Sequence, residues 1–72
     1  MLTYKLSYCW CENGQEKGRG LQYLHQSSDK KARKEAKKFI SRLRTASGPH
    51  LEYSNLSLTL IERGIPVREI EL

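Results

Sequence analysis

Between Asp29 and Thr45 the apolar residues Ala32, Ala36, Phe39, Ile40 and Leu43 recur at the spacings of one helical face. At about 100° per residue these five share an arc of about 100°. Elsewhere, clearest over Leu2–Trp10 and Leu56–Leu60, the apolar period is two. A lone helix with one apolar stripe has no second helix to bury it, so a sheet must cover it. This requirement points to a two-layer α+β domain.

The alternating stretches supply the sheet. Leu2, Tyr4, Leu6, Tyr8 and Trp10 alternate with Thr3, Lys5, Ser7, Cys9 and Cys11, which predicts a strand over Leu2–Glu12. The polar segment Asn13–Gly18 reads as a hairpin loop, and Arg19–Gln26 as the second strand. Two registers compete. One sets Trp10 opposite Leu21, Tyr8 opposite Tyr23, Leu6 opposite His25 and Glu12 opposite Arg19. A tight Asn13-Gly14 turn instead pairs Trp10 with Lys17 and Tyr8 with Arg19. The first keeps apolar residues on one face and is the expected register. It leaves Thr3, Lys5, Ser7, Gln22, Leu24 and Gln26 on the other face of the hairpin.

Ser27, Ser28 and Asp29 are candidate caps for a helix over Asp29–Thr45, and Gly48-Pro49 is its stop signal. A third strand is expected over Leu51–Glu62, clearest at Leu56, Leu58 and Leu60. Arg63-Gly64 reads as a turn before a fourth strand, Ile65–Leu72. There Pro66 argues for an edge or a strand start. Ile65 and Val67 fall out of phase with Ile70 and Leu72, as a bulge or a frayed end would produce. The predicted fold is β-β-α-β-β, a four-stranded, mainly antiparallel sheet with one helix on one face. A right-handed crossover gives the strand order 2-1-3-4, with 1-2-3-4 as the alternative.

Seventy-two residues make one domain. Such a chain buries roughly 60% of the surface its unfolded form exposes. It therefore has little material for a deep ligand cavity, and no small-molecule substrate or cofactor is expected. No apolar run approaches the ~20 residues that span a bilayer, so no membrane partner is expected. The alternation starting at Met1 does not resemble an export signal, which makes the cytoplasm the expected compartment. Cys9 and Cys11 should be reduced there.

Charge is concentrated on the helix. Lys30, Lys31, Arg33, Lys34, Lys37, Lys38, Arg42 and Arg44 are opposed within it only by Asp29 and Glu35, so eight against two gives +6. The rest of the chain holds five basic and six acidic residues, or −1. A basic face of this kind suits phosphate contacts, and these eight residues are the candidate nucleic-acid-binding set. Lys and Arg are also good helix formers that serve any solvated helix face.

The other constellations point to chemistry less well. Tyr4, Tyr8, Trp10 and Tyr23 resemble a base-stacking platform, but the expected register puts them under the helix, as core. Cys9, Cys11, His25 and His50 are enough donors for zinc, yet their spacing does not match a zinc knuckle and no metal is expected. No cation is held beside either thiol by the spacing, and no carboxylate pair, triad or phosphate loop is present. An enzyme is not expected. Two function classes remain. One is a domain that binds nucleic acid, the ribosome or another anionic surface through the helix. The other is a protein-interaction module or homodimer that uses the open sheet face, seeded by Leu24, Ile61, Cys9 and Cys11, or an edge strand.

Overall fold

The computed structural model describes residues 1–72. Strands β1 (Leu2–Glu12) and β2 (Gln15–Gln26) form a hairpin, helix α1 (Asp29–Ser47) follows, and β3 (Leu51–Glu62) and β4 (Ile65–Ile70) form a second hairpin. All neighbouring strands are antiparallel, in the order β2-β1-β3-β4. The fold class and strand order are those expected. The crossover through α1 sets β3 against β1 and leaves β2 and β4 as the sheet edges.

Ser28 caps α1, its Oγ accepting from the Lys31 amide at 3.3 Å, and the helix runs to Ser47, two residues beyond the expected Thr45, before Gly48 ends it. Ala32, Ala36 and Ile40 are buried against Tyr4, Leu6, Leu24, Leu58 and Leu60. Phe39 and Leu43 pack on the margin of this core. The small side chains of Ala32 and Ala36 let the helix backbone approach the sheet closely. No helix is long and apolar enough to cross a membrane.

The first hairpin departs from its expected register. Asn13 and Gly14 both take positive φ, 52° and 79°, the conformation of a tight two-residue turn that matches strand twist. β2 therefore starts at Gln15, not Arg19, and no loop runs to Gly18. A bulge between Trp10 and Cys11 then shifts the pairing by one residue, so Trp10 faces Gly18, Tyr8 faces Gly20 and Tyr4 faces Leu24. That slip exchanges the faces of β2. Leu24, expected on the open face, is 5% exposed in the core. Leu21, Tyr23 and His25, expected under the helix, lie on the open face opposite Ser7, Lys5 and Thr3.

Glycine makes this register possible. The Tyr8 ring lies over Gly20, where an added Cβ would come within 2.2 Å of it. The same ring packs 6.0 Å from Phe39 and 5.9 Å from Tyr53, centroid to centroid. Trp10 covers Gly18 in the same way. The second hairpin closes on Arg63 and Gly64, again both with positive φ. Its bulge lies between Leu60 and Ile61, pairing Ile61 with Pro66 and Leu60 with Arg68. This bulge is the source of the phase change along β4, which ends at Ile70 and not at Leu72.

Candidate nucleic-acid interface

Helical geometry divides the outer half of α1 into a ridge and two flanks. At about 100° per residue, Lys34 lies near the crest opposite the Ala32–Ala36–Ile40 stripe, with Lys30 and Lys38 to either side of it. Lys31, Lys38 and Arg42 fall on one flank, and Arg33, Lys37 and Arg44 on the other. All eight candidate residues are exposed, and the structure brings them together on this one surface.

The two acidic residues of the helix are placed differently. Asp29 accepts from the Tyr4 hydroxyl at 2.6 Å through Oδ1 and pairs with Arg68 at 2.6 Å through Oδ2. Glu35 accepts from the Gln26 side-chain amide at 2.8 Å. Both carboxylates are thus engaged by sheet side chains, Asp29 beneath the helix start and Glu35 at the margin of the cationic half, beside Lys31 and Lys38. Burial, reinforced by the Asp29 carboxylate, pushes the Tyr4 phenol up to about 12.

Between α1 and edge strand β2 runs an open groove of about 610 Å³. Lys31, Lys34, Lys38 and Arg42 form its helical wall, and Gln22 and Gln26 extend it along β2. The sequence reading did not single out these two amides. They join the site because the bulge between Trp10 and Cys11 puts them on the helix side of the sheet. Across the helix, Lys37 and Arg44 border a smaller depression with Ile40, Leu56 and Leu72.

The thiols and imidazoles do not converge. Cys9 and Cys11 are free, with Cys9 buried. Asn55 donates to the Cys9 sulfur and Ser54 shares a contact with that of Cys11, each at 3.7 Å. The Glu16 carboxylate beside Cys9, together with burial, pushes its thiol up, the direction opposite to an activated nucleophile. His25 shares the open face with the cysteines, contrary to expectation. It stands at the far end of the hairpin, its Nδ1 3.3 Å from the Thr3 hydroxyl. No three His, Cys, Asp or Glu side chains are grouped to hold a metal ion. Glu69, at the other edge, accepts from Ser57 at 3.0 Å.

Tyr8 and Trp10 lie on the helix side, over their glycines. Tyr23 is the half-exposed aromatic of the open face, on the side of the sheet away from the cationic helix. Comparison with protein families, with curated proteins and with solved structures found no match.

Proposed function

We propose that the chain is a non-enzymatic nucleic-acid-binding domain that grips phosphate with the outer half of α1. The observation carrying this reading is the segregation of charge on the helix: eight exposed cations outside, both carboxylates tied down at the sheet. A helix face kept soluble only by charge gains i to i+4 support from mixed signs. The two such spacings here, Asp29–Arg33 and Lys31–Glu35, form no ion pair, because Asp29 pairs with Arg68 and Glu35 accepts from Gln26. Phosphate binding needs the opposite, an unbroken cationic field, and draws its affinity from counterion release.

Replacing Lys34, Lys37, Lys38 and Arg42 together with Gln tests the reading. Gln preserves helix propensity, and all four side chains are exposed and outside the buried core. The expected result is loss of binding to a labelled duplex with a melting temperature close to that of the parent. Retained binding by a folded quadruple variant would refute the reading.

A second reading draws on Leu21 and Tyr23, 52% and 51% exposed and neighbours but one on edge strand β2. An unpaired edge carrying apolar side chains suits pairing with a second copy of the chain. It predicts a dimer mass by light scattering at micromolar concentration, reduced to a monomer by Tyr23→Lys. A monomer mass at every concentration eliminates it. Leu24, being core, has no part in this surface.

A further inference from the structure

Resting on the phosphate-binding reading, we propose that α1 enters the major groove of B-form duplex DNA, its two flanks contacting the phosphates of the two opposite strands. The cationic half is wide, its charges spanning about 180° of the helix circumference. A surface that follows a single strand needs only one row of cations beside a channel, which the groove along β2 supplies without the second row. Here Lys31, Lys38 and Arg42 form one row and Arg33, Lys37 and Arg44 another, on opposite sides of the crest. Two parallel phosphate walls with the helix between them engage both rows at once.

Dimensions agree with this arrangement. An α-helix with its side chains is about 10–12 Å across, and the B-form major groove is about 12 Å wide. From Lys30 to Arg44 the cationic stretch rises about 21 Å along the axis, enough to pass several base pairs. The sheet lies behind the helix, so the crest is the leading edge. Lys34 lies on that crest, where a Lys ammonium donates to guanine O6 and N7.

Two alternatives fit less well. The major groove of A-form RNA is too deep and narrow for a helix to read. Single-strand binders place aromatic side chains beside their cations, as stacking surfaces for the bases. In this molecule Tyr8 and Trp10 cover Gly20 and Gly18, and Tyr23 is on the face of the sheet turned away from the cationic helix.

The test measures binding of the intact chain to one sequence of about 20 base pairs, prepared as duplex DNA, as duplex RNA and as single-stranded DNA, at ~50 mM salt. Duplex DNA should bind at least about tenfold more tightly than either of the others. Gln replacement of the Lys31, Lys38, Arg42 row, and separately of the Arg33, Lys37, Arg44 row, should each flatten the slope of log affinity against log salt by about 2.7, or about 0.9 per lost phosphate contact. A DNA duplex whose major groove is filled by glucosylated cytosines should lose binding, and a minor-groove ligand should not compete; neither measurement needs a variant to fold. Equal affinity for RNA duplex, no effect from one row, or unaltered binding to the glucosylated duplex would overturn the major-groove assignment while leaving phosphate binding standing. No binding to any of the three nucleic acids would overturn both.

Discussion

Asp29 performs three tasks at one point of the chain. It opens the helix as an acid in the first turn, accepts the phenol of Tyr4, and pairs with Arg68 on β4. Through these contacts the helix N-terminus is tied to a central strand and to an edge strand. Tyr4 is fully buried, and its pKa of about 12 lies above the ordinary value of 10.0. Below pH 10 the phenol is neutral in folded and unfolded chains, and its contribution to stability is complete. As pH rises through 10 toward 12 the unfolded chain loses the proton first, so stability falls across that window. Tyr4→Phe should be less stable at pH 7 by about 1–3 kcal/mol, the size of a hydrogen bond to a charged group. Its alkaline decline should be shallower than the parent's, and parallel curves for the two proteins would contradict the assignment. Gly20 is the other residue with a sharp expectation. The Tyr8 ring above it is held by Phe39 and Tyr53 and has little room to move. Gly20→Ala should therefore destabilise by about 1–3 kcal/mol in urea unfolding. Gly18→Ala should cost less, because neither Phe39 nor Tyr53 braces the Trp10 ring in the same way.

At the scale of elements, periodicity was a reliable guide to existence and a poor one to register. The helix, β1, β3 and the Arg63-Gly64 turn were all legible, because each carries a dense local pattern. The face of β2 was not. Keeping Leu21 and Tyr23 with the aromatics of β1 assumes that a half-apolar strand turns its larger side chains inward. The structure instead turns Gly18, Gly20 and Gln22 inward beside Leu24, since Tyr8 and Trp10 fill the space over the glycines. Asn13-Gly14 is a strong turn signal, and the glycines two apart on β2 match the aromatics two apart on β1. The bulge that reconciles them has no local signature. The register makes a direct prediction. Leu24→Ala should lower unfolding stability by about 2–5 kcal/mol, as for a core leucine. Tyr23→Ala should change it by about 0.5 kcal/mol, as for a surface site. The reverse order of the two effects would restore the rejected register.

The whole molecule measures 37 × 20 × 16 Å and separates its charge by layer. The helix layer carries +6 and the rest of the chain −1. The eight cations of the candidate site were legible in full, because helical period alone sorts residues into a core stripe and an outer half. The groove beside them was not, because Gln22 and Gln26 reach it only through the β2 register. A domain this small has one core and thin stability, so its binding surface must be made of residues the core does not need. The outer half of α1 meets that condition at every cationic position. The most direct measurement is the affinity of the unmodified protein for duplex DNA across a salt series. The account predicts a straight line of log affinity against log salt, with a slope of about −0.9 for each phosphate contacted, so about −5 for six contacts. Failure to bind at ~50 mM salt, where a charge-driven contact is strongest, or an affinity indifferent to salt, would contradict it.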